Sequence, residues 1–184
     1  MSLNLFGFEP QTALDICRSA AKGFDAELSV KWHIGGWSVV ESTSNELLIE
    51  LCRLFYPKGF LDDPFKFIVD RLASHRKTVT CAESCTGGRL AAHITAVAGA
   101  SSVFDGSLVT YSNRLKSSWL GVKTETLKFY GAVSAECVRE MALGAIVRTD
   151  ANYALAISGV AGPDGGTKAK PIGTVFLAIC EKGG

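Results

Sequence analysis

A short β-rich run that leads through a glycine-rich turn into a helix is the feature that most limits the folds open to this chain. Residues Thr78 to Ala82 predict the strand, and Ser84 to Val97 predict the turn and the helix that follows it. A strand that enters a helix through a tight glycine turn is typical of an α/β protein. The 19 glycines of the chain agree with several such turns.

Three more β-rich runs follow in the same part of the chain: Val103 to Tyr111, Tyr153 to Ile157 and Thr174 to Cys180. The last two are short and apolar, which is typical of strands that are covered on both faces. Ser134 can cap a long helix that precedes the second run. We therefore predict a layered α/β domain over residues 61–184.

Residues 1–60 differ in character and predict an N-terminal extension made of a helix, a β-hairpin and a second helix. Apolar residues recur at helical spacing from Ala13 to Ala21. Two β-rich runs then flank a tight turn at Gly35-Gly36, the second run being Trp37 to Val40. Thr43 to Glu46 match a capping box that begins the second helix. Nothing in this extension is typical of a catalytic site.

The charge balance excludes several classes of partner. Lys and Arg total 19, and Asp and Glu total 18, so no net field attracts nucleic acid or anionic lipid. No apolar run reaches the roughly 18 to 20 residues that a membrane span needs. The N-terminus has no basic segment followed by an apolar one, so no secretory signal is expected. These features favour a cytoplasmic protein that binds neither nucleic acid nor membrane.

Cysteine and histidine spacing gives no sign of a metal site. The six cysteines form no CxxC or CxxH pair, and the three histidines are scattered. Most of the cysteines lie in apolar stretches, which favours reduced thiols in a cytoplasm. We expect no metal and no cofactor.

The turn from Glu83 to Gly88 is the first candidate site. It places Ser84 at the carboxyl end of a strand, where open α/β sheets bind their ligands. Backbone amides at the start of the helix suit a phosphate or a developing oxyanion. In the alternative, Ser84 and Thr86 merely cap the helix. Cys85 is either a second candidate nucleophile or a small buried thiol.

Two later segments carry further candidates. Ser158 precedes a glycine-rich loop, Gly159 to Gly166, which either cradles a phosphate through its amides or is an ordinary loop. Tyr111 and Lys116 follow a predicted strand. A desolvated lysine can be neutral enough to take a proton from a serine hydroxyl, although most lysines are solvated at the surface.

At these residues the sequence resembles the CinA C-terminal domain family. The resemblance covers about residues 62–181 and consists of several blocks in family order. The blocks are Ala82 to Gly88, Gly99 to Gly106, Tyr111 to Lys116, Gly131 to Ser134, Ser158 to Thr167 and Lys170 to Val175.

The resemblance implies a three-layer α/β/α sandwich and an amidohydrolase that converts nicotinamide mononucleotide to nicotinate mononucleotide and ammonia, with no metal. The family's serine, lysine and tyrosine fall on Ser84, Lys116 and Tyr111, and its threonine is replaced by Ser158. A homodimer is also implied. The alternatives are a catalytically inactive pyridine-nucleotide-binding or regulatory module of the same fold, and an amidase with another substrate.

Under this hypothesis Ser84 attacks the carboxamide while Lys116 takes its proton, with or without a relay through Tyr111. The amides of the first turn hold the oxyanion, and the glycine loop contacts the ribose phosphate. The oxyanion and substrate-binding residues are therefore predicted to be Cys85, Thr86, Gly87, Gly88, Ser158, Gly159, Gly162, Gly165 and Gly166.

One departure from the family pattern concerns the last strand and helix, which normally bear substrate-binding arginines and have no counterpart before Gly184. As in a permuted chain, Trp37 to Val40 and the helix from Thr43 to Phe55 are hypothesised to fill that space, with Arg53 as a substitute arginine.

Overall fold

The computed structural model describes residues 1–33, 36–61 and 63–184, which form two compact units, residues 1–68 and 69–184. The first unit is an antiparallel sheet with helices. Its elements are β1 (Ser2–Leu5), α1 (Pro10–Ala20), β2 (Leu28–His33), β3 (Trp37–Ser42), α2 (Asn45–Phe55) and β4 (Gly59–Leu61). Helix α3 (Pro64–Ser74) runs through the division between the units.

The first unit contains two strands that the sequence did not predict. Its sheet has the order β2-β3-β1-β4, so β1 lies in the middle of it. Leu3 and Leu5 of β1 are fully buried, and they pack with α1 and α2 in one apolar core. Strands β1 and β4 are too short to show an alternating pattern, which explains why the prediction of a helix, a hairpin and a helix was incomplete. Gly35 of the predicted hairpin turn lies outside the described residues.

The hypothesis of a permuted chain is wrong. Strand β3 pairs with β1 on one edge and with β2 on the other, so both of its edges are used within the first sheet. It therefore has no edge left to extend the sheet of the second unit. Arg53 forms an ion pair with Glu50, one turn away on its own helix.

The second unit contains a mixed sheet of the order β6-β5-β7-β8. Strands β5, β6 and β7 are parallel, and β8 is antiparallel to β7. Its elements are β5 (Val79–Glu83), α4 (Arg89–Thr95), β6 (Ser107–Val109), α5 (Asn113–Leu120), α6 (Thr124–Phe129), α7 (Ala135–Thr149), β7 (Tyr153–Gly159) and β8 (Val175–Glu181). Each of the four runs predicted as strands overlaps one of these strands, although β6 is much shorter than its run.

Helix α7 covers one face of this sheet with small and sulfur-containing side chains. The core joins Cys137, Met141 and Ala145 of α7 to Ala154 and Ala156 of β7. Strand β8 does not match the prediction of a strand covered on both faces. Its residues alternate, so that every second one faces α7, whereas Val175, Leu177 and Ile179 are 52%, 69% and 74% exposed.

A close helix contact fixes the position of α5 against α7. A Cβ atom added to Gly144 of α7 would overlap the carbonyl oxygen of Leu120 and lie 2.6 Å from its carbonyl carbon. Only glycine allows the two helices to approach this closely. Helix α5 carries Lys116, so this contact sets the depth at which that lysine lies.

No helix in the described parts of the chain has both the length and the apolar character required to cross a membrane.

Candidate active site

Ser84 follows the last residue of β5 and is 7% exposed. Its amide donates a hydrogen bond to the carbonyl of Ile157, which continues the pairing of β5 with β7. The chain then turns through Gly87 and Gly88, whose φ angles of +59° and +96° favour glycine. The serine is therefore held at the carboxyl end of two parallel strands, at the edge where the sequence predicted a site.

Glu83 stabilises the turn through hydrogen bonds to its backbone. Its carboxylate is fully buried and accepts hydrogen bonds from the amides of Gly88, Leu90 and Ala91 at 3.0, 3.1 and 2.9 Å. Burial acts to raise the pKa of this carboxyl group, but the hydrogen bonds that it accepts, first of all from the Ala91 amide, outweigh it and hold the pKa below its usual value. Sequence reasoning gave Glu83 no role. The available signal was a carboxylate ending an apolar strand directly before a helix.

This carboxylate changes which amides can hold an oxyanion. The amide of Gly88 is used by Glu83, and the amide of Gly87 donates to the carbonyl of Ser84. The amides of Cys85 and Thr86 have no acceptor among the described residues. Of the four amides predicted for this role, those of Cys85 and Thr86 can still perform it.

Lys116 reaches Ser84 from the next helix. Ser112 caps α5 by accepting the amide hydrogen of Leu115, and one helical turn later Lys116 points inward and is 1% exposed. Its Nζ lies 2.8 Å from Ser84 Oγ, 2.7 Å from the carbonyl oxygen of Thr110 and 3.2 Å from that of Tyr111. No carboxylate in the described residues forms a salt bridge with it.

The surroundings of Lys116 suit a neutral amine. Burial lowers the pKa of Lys116 below its usual value, although the nearby thiols of Cys137 and Cys85 act in the opposite direction. A neutral amine has two N–H donors and one lone pair. The two carbonyls match the donors, and the hydroxyl of Ser84 can donate to the lone pair, so each group has a partner. This arrangement makes Lys116 a candidate general base.

A cavity of about 260 Å³ opens beside the pair. It is lined by Ser84, Cys85, Tyr111, Lys116, Ala132, Val133, Ser158, Gly159, Val160, Ala161, Gly162 and Asp164. A larger groove of about 860 Å³ lies between α5, α6 and α7, but neither Ser84 nor Lys116 lines it. Because Ser84 and Lys116 line the smaller cavity, we take that cavity as the candidate active site.

Seven of the twelve predicted site residues line this cavity, and five do not. Those that do not are Thr86, Gly87, Gly88, Gly165 and Gly166. In the glycine loop, Cβ atoms added to Gly162 and Gly166 would lie 2.8 and 3.0 Å from Ile172. These glycines let the loop pack onto Ile172, so Gly166 has a packing role that its sequence pattern did not reveal.

Tyr111 contributes to the site through its backbone. Its side chain is 72% exposed at the cavity, while its carbonyl oxygen accepts a hydrogen bond from Lys116. Because Lys116 contacts Ser84 directly, a proton can pass between them without a relay through the phenol.

The described residues contain no group of three or more His, Cys, Asp or Glu side chains able to hold a metal ion.

Comparison with known proteins adds independent information. The chain is 52% identical over 124 residues to the CinA-like protein of Thermotoga maritima, a match that covers 67% of this chain and 30% of that protein. It is 54% identical over 106 residues to a protein of Enterobacter agglomerans named nicotinamide-nucleotide amidohydrolase PncC, covering 58% of this chain and 65% of that one. The chain spans about a third of the length of the CinA-like relatives.

Solved structures with this fold show the same relationship. The competence/damage inducible protein CihA of Agrobacterium tumefaciens is 42% identical with a TM-score of 0.62, and the match covers 68% of this chain and 78% of that one. A CinA superfamily protein of Escherichia coli is 37% identical with a TM-score of 0.63, covering 68% and 76%. The protein-family model described as CinA C-terminal domain matches residues 62–184 of the sequence. The chain therefore belongs to the CinA C-terminal domain family.

Proposed function

We propose that residues 61–184 form a serine amidohydrolase that converts nicotinamide mononucleotide and water to nicotinate mononucleotide and ammonia. The observation that carries this proposal is the 2.8 Å contact between the buried amine of Lys116 and the hydroxyl of Ser84, beside a cavity. The relative from Enterobacter agglomerans, named for this activity, supports the choice of substrate.

In the first half of the reaction, neutral Lys116 accepts the proton of Ser84 as Oγ attacks the carboxamide carbon. The pyridinium ring withdraws electrons from that carbon and makes it a better electrophile. The developing oxyanion is held by the amide of Cys85, which lines the cavity, and the amide of Thr86, also without an acceptor among the described residues, follows it in the same turn. In a preorganised site, one such donor typically contributes about 3 to 4 kcal/mol to stabilising the transition state.

Breaking the C–N bond completes this half-reaction. The Lys116 ammonium returns its proton to the departing nitrogen, which leaves as ammonia, and an ester joins the nicotinoyl group to Ser84. In the second half, Lys116 takes a proton from water as the water attacks the ester. The proton then returns to Ser84 Oγ, which releases nicotinate mononucleotide.

The remaining residues of the cavity hold the substrate. Ser158, Gly159 and Gly162 also line the cavity and can contact the nucleotide. In our proposal the helices cover both faces of the sheet in a three-layer α/β/α arrangement, and the protein acts in the cytoplasm as a homodimer. The three layers and the homodimer rest on the family resemblance, and the cytoplasmic location rests on the composition and the cysteine pattern of the sequence.

The test is ammonia release from nicotinamide mononucleotide by the full chain, by Ser84→Ala and by Lys116→Met. Methionine fills nearly the volume of the lysine but has no amine. We expect wild-type turnover and a loss of about 10⁴-fold or more in each variant, since removing one member of a catalytic unit abolishes most of its effect. Binding of the nucleotide without ammonia release by any of the three proteins would favour the inactive binding module.

A further inference from the structure

The lining of the cavity offers no available positive charge for a phosphate group. Its charged residues are Lys116 and Asp164. The amine of Lys116 is already used by Ser84 and two carbonyls, and the carboxylate of Asp164 repels an anion. A phosphate monoester bound here can use amides of the glycine loop, but any positive charge that it pairs with has to come from outside the lining.

The size of the cavity indicates where that cation must lie. Drug-sized ligands usually occupy pockets of about 300 to 1,000 Å³, whereas this cavity measures about 260 Å³. With the carboxamide at Ser84, the phosphate of a mononucleotide extends to the rim. The residues beside the lining are therefore the ones to search.

Lys170 is the candidate for this cation. Its Nζ donates to the carbonyl oxygen of Tyr130 at 2.8 Å and lies 3.8 Å from the place that a Cβ atom on Gly131 would take. The next two residues, Ala132 and Val133, line the cavity. Because Tyr130 and Gly131 directly precede these two residues, the ammonium lies beside the segment that forms one wall of the cavity.

Lys170 also has unused charge and a fixed backbone. One N–H is bonded to Tyr130, and no carboxylate in the described residues forms a salt bridge with the ammonium. Its own amide donates to Thr167 Oγ1, and its carbonyl accepts from the Thr167 amide. Lys168, two residues earlier, is exposed and has no contact of this kind in the described structure, so it offers a matched control.

We infer that Lys170 binds the phosphate of the substrate and thereby selects a mononucleotide over the corresponding nucleoside. This inference rests on the proposed function. The remaining N–H donors of the ammonium supply charge-assisted hydrogen bonds to the phosphate oxygens. The bond to Tyr130 holds the long side chain in place before substrate arrives, which reduces the entropy lost on binding.

The experiment compares two substrates in three proteins: nicotinamide mononucleotide and nicotinamide riboside with wild type, Lys170→Met and Lys168→Met. In Lys170→Met we expect KM for the mononucleotide to rise about tenfold, equivalent to about 1.4 kcal/mol. The kcat for that substrate and both constants for the riboside should stay near wild type. Lys168→Met should resemble wild type with both substrates, and Lys170→Arg should restore part of the lost affinity.

Two results would overturn the inference. Equal losses with both substrates in Lys170→Met would show that the lysine acts through its bond to Tyr130 on the shape of the wall. An unchanged KM for the mononucleotide would show that the phosphate binds elsewhere. If wild type releases no ammonia from either compound, the proposed function fails, and calorimetric binding of the two compounds to wild type and Lys170→Met decides the role of Lys170 by the same criterion.

Discussion

Lys116 lies where lysine is rarely found, with its amine enclosed by two carbonyls and a hydroxyl and with no acid beside it among the described residues. Burying a charged ammonium in such a place is costly, and the neutral form removes that cost. The spacing of Tyr111 and Lys116 did not distinguish this residue from a surface lysine. Its burial depends on β5 and α7, which are distant in sequence, so the resemblance and the fold identify it and the local spacing does not.

Cys85 lines the same cavity as Ser84 and was the alternative nucleophile. Because the contact of Lys116 is with Ser84 Oγ, we expect Cys85→Ala to keep ammonia release within about threefold of wild type, a small change on the scale where about 1.4 kcal/mol is tenfold. Steady-state ammonia release measures this. A loss as large as that in Ser84→Ala would assign the attack to the thiol.

Tyr111 gives a second prediction at this scale. Its backbone carbonyl, and not its phenol, bonds to Lys116, so Tyr111→Phe leaves the lysine in place. We expect kcat to fall by less than about tenfold, because general acid–base groups contribute 10²- to 10⁴-fold and the phenol is not required as one. If kcat falls as far as in Lys116→Met, the proton does pass through the phenol.

At the level of elements, the turn between β5 and α4 depends on Glu83. Glu83→Gln keeps the volume but removes the charge and brings an NH₂ group toward three amide donors. We expect the free energy of unfolding at neutral pH to fall by about 1 to 3 kcal/mol, the usual cost of leaving buried polar groups unsatisfied. Chemical denaturation measures the change. Glu125→Gln, on an exposed first turn of α6, is the control and should change stability by less than about 0.5 kcal/mol.

The pH dependence of stability also tests the hydrogen bonds of Glu83. The folded pKa of Glu83 is lowered, so its contribution is present above the pKa of an unfolded glutamate and is lost as pH falls through the folded value. The deficit of Glu83→Gln relative to wild type should therefore shrink as the solution is acidified. A deficit that stays constant across that range would contradict the assigned hydrogen bonds.

The contact of α5 with α7 yields a further prediction. Gly144→Ala inserts a methyl group into the carbonyl of Leu120, so the helices must separate. We expect a loss of about 1 to 3 kcal/mol or more in stability, as in overpacked cores, together with reduced ammonia release because Lys116 moves with α5. Thermal unfolding and the ammonia assay measure the two effects.

Gly106→Ala is the matched control for that change. An added Cβ atom there meets nothing within 4 Å, and its backbone is outside the left-handed region. Stability should therefore stay within about 1 kcal/mol of wild type or rise slightly, because alanine restricts the unfolded chain. Equal losses in both variants would mean that the close approach of α5 and α7 does not matter.

For the whole molecule, the sequence predicted the strongly patterned elements and the residues of one turn. The four runs of the second unit predicted as strands, the cap at Ser134, and the meeting of Ser84 with Lys116 follow from pattern and resemblance. Strand β1 was not predicted because four residues are too few to show an alternating pattern. The exposed face of β8 was not predicted because an apolar run does not show which of its faces is covered.

The roles of Glu83 and Lys170 were not predicted from the sequence, for another reason. The contact of Lys170 with Tyr130 is made across the fold and leaves no local pattern in the sequence. Glu83 contacts the start of α4 a few residues later, and its signal, a carboxylate between an apolar strand and a helix, does not show by itself that the side chain is buried against the helix amides. Residue type identified the candidate nucleophile and base, while packing determined which supporting groups surround them.

The most direct test of Lys116 as the general base is the pH dependence of kcat/KM for ammonia release from nicotinamide mononucleotide. This dependence reports the ionisation of the free enzyme. If neutral Lys116 is the base, kcat/KM rises with pH through a pKa below that of an ordinary lysine, in agreement with the burial of its amine. Activity should then be present above that pKa and lost below it. A profile that falls through this range, or that rises only at the pKa of a solvated lysine, would contradict the central claim.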